Sequence, residues 1–113
     1  MVERLLSQST EEIGISTITI SELNYGVEKS ASPDQNRIAL VEFLTPFRIV
    51  EYDQLAAKEY GRIRSELENE GRIIGPMDLL IAAHAAAENV ILVTNNEKEF
   101  TRVRGLKTEN WAI

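Results

Sequence analysis

Cysteine is absent from the 113 residues, which excludes thiol catalysis, zinc ribbons and disulfide scaffolds. A chain of this length buries a core without such staples. No apolar run reaches the roughly 18 residues that a membrane span requires, and no apolar leader follows Met1, because Val2-Glu3-Arg4 opens an amphipathic segment. A cytoplasmic protein is expected. There is one histidine, His84, and no Ser-His-Asp arrangement is visible, so nucleophilic catalysis is disfavoured. No G-x-G-x-x-G or Walker-type loop occurs, which counts against a nucleotide cofactor.

Positive charge is also scarce: 12 Lys and Arg stand against 18 Asp and Glu, for a net charge of -6. That balance disfavours nucleic-acid binding through a general basic surface. It leaves open a nucleic-acid enzyme whose gathered carboxylates are neutralised by divalent metal. Arg62, Arg64 and Arg72 are then the local cations that could hold a substrate, or else the solvated face and exit of a helix.

What is present is an alternation of helical and strand patterns. Val2, Leu5 and Leu6 read as the last turns of a helix, and 13–18 reads as a β-branched strand. Thr19 and Glu22 fit a capping box ahead of a helix to Lys29. Ser32-Pro33 starts a second helix with an apolar stripe of Ile38, Val41, Phe43 and Leu44, which Pro46 ends. A short strand over 47–52 follows, and Asp53 caps a long helix with Ala56, Tyr60, Ile63 and Leu67 on one face, closed by Gly71. Pro76 then opens a helix to about Glu88 that has almost no polar face and is expected to be wrapped by protein. The run 90–94 reads as a central strand covered on both faces, 96–100 as the start of a short helix ended by Gly105, and 106–111 as a weak last strand. Such alternation implies one α/β domain with a parallel sheet and a site at the carboxyl ends of its strands.

The loops and helix starts on that edge carry Glu22, Asp78, Asn96 and Glu99. Three carboxylates and an amide are hard oxygen ligands suited to Mg²⁺ or Mn²⁺. Each also has a local reading. Glu22 can be the third residue of its capping box, Asp78 can complement a helix dipole, and Asn96 with Glu99 can be an N-cap and its partner. His84 lies six residues after Asp78, about 240° round a helix, so it reads as a buried, hydrogen-bonded packing residue.

Taken together, four ordered segments become recognisable. They are Ile18-Thr19-Ile20-Ser21-Glu22-Leu23-Asn24-Tyr25-Gly26, Asp78-Leu79-Leu80-Ile81-Ala82-Ala83-His84-Ala85, Val93-Thr94-Asn95-Asn96-Glu97-Lys98-Glu99-Phe100 and Leu106-Lys107-Thr108-Glu109-Asn110-Trp111. In this order they resemble the VapC-type toxins of the PIN-domain ribonuclease family. The resemblance implies a three-layer α/β/α sandwich and a metal-dependent endoribonuclease toxin of a type II toxin-antitoxin pair. Its implied partners are a VapB-type antitoxin, an RNA substrate such as tRNA, and a second copy in a homodimer. It places Glu22 and Asp78 on family acids that bind the metal. Asn96 falls where many members have a further acid, with Glu99 a nearby substitute or supplement.

The family also opens with a central apolar strand ending in an Asp-Thr-Asn-like motif, whose Asp is a principal ligand. Only Met1 precedes Val2-Glu3-Arg4-Leu5-Leu6 here. The expectation is therefore a single PIN-like domain over 1–113 that lacks its first strand, with a non-catalytic, antitoxin-binding remnant as the alternative to an active nuclease.

Overall fold

Residues 13–94 and 96–110 are described in the computed structural model. The expected helix over 2–7 and the end of the last strand at Trp111 lie outside them. The described elements run β1 (Gly14–Ser16), α1 (Thr17–Lys29), α2 (Pro33–Leu44), β2 (Arg48–Val50), α3 (Gln54–Asn69), α4 (Pro76–Glu88), β3 (Leu92–Val93), α5 (Glu97–Phe100) and β4 (Thr108–Glu109). They gather into two compact units, one ending at Glu51 and the other beginning at Tyr52.

In the first unit β1 and β2 pair in parallel, with Gly14, Ile15 and Ser16 opposite Arg48, Ile49 and Val50. Gly14 is required by this approach, since a Cβ there would lie 2.9 Å from Val50 Cγ2, and a β-branched side chain has little rotamer freedom to give way. Gly14→Ala is expected to cost about 1–3 kcal/mol, read as a lower urea midpoint at unchanged slope.

The strand expected over 13–18 is cut short because Ser16, not Thr19, caps the helix: Ser16 Oγ accepts from the Ile18 N–H at 3.1 Å. The capping box of Thr19 and Glu22 is therefore not formed, and Glu22 sits exposed inside α1, past its first turn. Both frames satisfy the local rule, and the earlier serine satisfies the first free N–H groups. At the other end Ser30 closes α1, its N–H and Oγ both donating to Val27 O.

Pro33 opens α2 at its first position, as expected. Arg37 ties this helix to α1 by pairing with both Glu28 and Asp34. The stripe of α2 is not covered: Ile38, Val41 and Phe43 are more than half exposed.

The second unit is organised by α3 against α4. Asp53 caps α3, its side chain accepting from the Ala56 N–H at 3.1 Å. The helix closes on Gly71 at φ 65°, with Arg72 N–H donating to Leu67 O and Gly71 N–H to Glu68 O, a left-handed termination that favours glycine. Its outer face carries Arg62 with Glu59 and Glu66, and Arg64 with Glu68. These cations are therefore the solvated face of a helix, each already paired with carboxylates. Its inner face buries Ala56, Ile63 and Leu67.

Against it α4 buries Leu79 and the run 82–85, and the alanines Ala82 and Ala83 lose all exposure. Small side chains at these positions let two backbones approach closely. The core is completed by Ile74, Phe100 and Val103.

Beyond α4, which ends on Asn89 at φ 54°, β3 pairs in parallel with β4. The run 90–94 yields only two strand residues, and Ile91 and Val93 are 48% and 40% exposed. Burial on both faces was expected; among the described residues β3 has one hydrogen-bonded neighbour, β4. The last strand is likewise shortened to Thr108–Glu109. The parallel α/β character holds in both pairs. No helix among the described residues is long and apolar enough to cross a membrane.

Candidate metal centre

The start of α4 and the start of α5 are brought together, and three of the four expected site residues meet there. Gly75 is the N-cap of α4, a position with no side chain to satisfy the helix's free N–H groups. Its own N–H donates instead to Glu99 Oε1 at 2.7 Å, across 24 positions of sequence. The second oxygen, Glu99 Oε2, accepts from Asn96 Nδ2 at 2.8 Å. Asp78, in the first turn of α4, completes the cluster through a side-chain hydrogen bond with Glu99.

The local readings of Asn96 and Glu99 thus fail in detail. Asn96 holds the cap position of α5 but makes no side-chain cap bond; its amide turns to the Glu99 carboxylate.

Charge follows from this geometry. The Gly75 N–H, then the bonds to Asp78 and Asn96, hold the Glu99 carboxyl below its ordinary value of 4.5 against the opposing effect of burial, with a lesser contribution from the charge of nearby Arg102. A carboxyl lowered in the folded state stabilises the fold fully above its unfolded value, and that stabilisation is lost as pH falls through the lowered one. In the cation-free protein, Glu99→Gln should therefore lose less stability than the parent when urea melts are taken below pH 4.5.

Asp78 and Glu99 also flank Gly75: a Cβ built there would lie 3.6 Å from Glu99 Oε1 and 4.0 Å from Asp78 Oδ2. Two carboxyl groups this close resist joint ionisation unless a proton or a cation is shared between them. Among the described residues no group of three His, Cys, Asp or Glu comes together. Two carboxylates with an amide oxygen still fit Mg²⁺, which commonly takes one or two protein carboxylates and keeps several waters.

Glu22 lies exposed on α1, in the other unit. His84 is buried, as expected, with its ring edge-on to Tyr52 at 5.5 Å. Two members of the cluster were not anticipated from sequence: the Gly75 N–H and Arg102, whose Nη1 donates to Ile73 O at 3.1 Å. The glycine before Pro76 marked a helix start, but nothing local pointed from it to Glu99.

Comparison with known proteins identifies the family. The PIN-domain family model matches residues 1–106. The chain is 46% identical over 98 residues to the tRNA(fMet)-specific endonuclease VapC of Shigella flexneri, covering 87% of this chain and 74% of that protein. It is 50% identical over 99 residues to Ribonuclease VapC2 of Rickettsia felis, covering 88% and 74%. Among solved structures it superposes on DNA-bound VapBC from Salmonella typhimurium with a TM-score of 0.92 at 39% identity, covering 97% of this chain and 83% of that one. For VapBC2 from Rickettsia felis bound to a promoter DNA fragment the TM-score is 0.84 at 49% identity, over 88% and 75%. PIN-domain ribonucleases generally use a divalent metal. With its parallel α/β elements, its acids gathered at the start of α4 and these relatives, the chain belongs to the PIN-domain family, among the VapC ribonucleases.

Proposed function

We propose that this protein is an endoribonuclease toxin that hydrolyses RNA phosphodiester bonds in the cytoplasm with Mg²⁺ or Mn²⁺, and that tRNA is its substrate class. The observation that carries this reading is the meeting of Asp78, Asn96 and Glu99 at the start of α4. The relatives named as ribonucleases and as a tRNA-specific endonuclease support it. The VapBC complexes among the structural neighbours support a VapB-type antitoxin as its partner and inhibitor. Its assembly is a homodimer.

Asp78 and Glu99 would hold the cation, with Asn96 supplying an amide oxygen or orienting water. We extend the set to Glu22 from the resemblance of its segment; that Ser16 rather than Thr19 caps α1 leaves the Glu22 carboxylate outside any capping box. When bound, a divalent ion supplies an activated water and positive charge for the phosphate oxygens.

The chain's own contribution is orientation and charge. The Gly75 N–H and the Asn96 amide fix both oxygens of Glu99, so the carboxylate does not rotate away. Hydrogen bonding, from the Gly75 N–H above all, favours the ionised form of Glu99. Asp78 places its carboxyl in the first turn of α4, beside the positive end of the helix dipole. The net charge of -6 makes RNA approach dependent on neutralising this cluster.

The test is to incubate the purified chain with initiator tRNA in Mg²⁺ or Mn²⁺, with and without EDTA. Discrete products are expected only where the cation is free, and added VapB-type antitoxin should suppress them. Intact tRNA with either ion, alongside normal antitoxin binding, would replace this reading with the antitoxin-binding remnant.

A further inference from the structure

The carboxylate pair depends on how firmly two distant segments are clamped together. One clamp is the bond from Gly75 N–H to Glu99. A second runs beside it in the opposite sense, from the Arg102 guanidinium to the carbonyl of Ile73. Between the two lies Ile74, whose side chain is buried in the same core cluster as Phe100 and Val103. The segment before α4 is therefore held at three successive residues by one turn of chain, 99–103: polar at 73 and 75, apolar at 74.

Arg102 is the side-chain donor of this clamp. Its hydrogen bond fixes the carbonyl two residues before the N–H that grips Glu99. A guanidinium fits this role because it offers several donors in a rigid fork.

We propose that Arg102 is a positioning residue of the acidic centre, latching the segment 73–75 so that Gly75 N–H presents Glu99 to the cation beside Asp78. This rests on the cation site proposed above. It predicts that a residue remote from substrate controls metal affinity.

The test compares Arg102→Met, which keeps the aliphatic stem and loses charge and donors, with Arg102→Lys, which keeps charge and a donor. Three quantities are read: Mn²⁺ affinity from loss of the free-ion EPR signal, exchange of the Gly75 amide by NMR, and the melting temperature. Arg102→Met should weaken Mn²⁺ binding roughly tenfold, the usual scale for removing a partner of a ligand. It should speed Gly75 exchange by a similar factor while melting within a few degrees of the parent. Arg102→Lys should recover most of both.

Unchanged Mn²⁺ affinity and unchanged Gly75 exchange in Arg102→Met would overturn the proposal. So would a loss of protection that appears only with a general fall in melting temperature, which would make Arg102 a fold residue. If the parent chain binds no Mn²⁺, the cation reading fails separately, and Gly75 exchange alone still decides whether the latch exists.

Discussion

Asp78→Asn is expected to lower tRNA cleavage by about two to three orders of magnitude and to change stability by less than about 1 kcal/mol. The substitution keeps shape and removes charge. Asp78 sits in the first turn of α4, where a carboxylate gains from the helix dipole, and its side chain hydrogen-bonds with Glu99. The two roles therefore separate cleanly. If Asp78 serves only the helix, initial cleavage rates will match the parent and the urea midpoint will drop slightly. If it serves the chemistry, the rate collapses and the midpoint barely moves. The cation-free variant should even relieve some repulsion, because Asn can donate to Glu99 without needing a proton.

Leu67→Ala is expected to cost about 2–5 kcal/mol, a large share of the roughly 5–15 kcal/mol that a domain possesses. Leu67 is 2% exposed and packs in one cluster with Ile74, Leu79, Phe100 and Val103. Its neighbours Ala82 and Ala83 are already small and fully buried, so they offer no bulk that could move into the space vacated. Leu67→Met keeps most of the volume and should cost under about 1.5 kcal/mol. Urea melts of the pair check this directly. Ile74 and Phe100 adjoin the residues that place Glu99, so the alanine variant should also bind Mn²⁺ more weakly where it is still folded.

Helix limits were largely legible because they are local. Pro33 and Pro76 open α2 and α4, Asp53 caps α3 and Gly71 closes it, each within a few residues of the feature it controls. The start of α1 went astray for a local reason too: Ser16-Thr17-Ile18-Thr19 offers two cap frames, and only the three-dimensional turn after β1 decides between them. Strand lengths were not legible. Val90 to Val93 is apolar throughout, yet among the described residues only Leu92 and Val93 pair as strand, and a partner's position is not written in a strand's own residues.

The site divides in the same way. Asp78, Asn96 and Glu99 could be named from the ordered segments. What joins them could not, since no spacing rule connects residue 75 with residue 99. The apolar stripe of α2 shows the reverse failure: its period was plain, but period says which face is apolar and not whether anything covers it.

Gly75 carries a lesson for anyone who would engineer this protein. Its backbone, at φ -58° and ψ 151°, is open to every amino acid, so nothing in the path of the chain demands a glycine. Rules of helix design would place serine, aspartate or asparagine at such an N-cap and expect a gain. Here the new side chain would enter the gap beside Glu99 and Asp78. A library sorted for thermal resistance would enrich those replacements, whereas one sorted for toxicity would discard them, and the disagreement between the two selections would itself mark the position as serving the Asp78 and Glu99 pair.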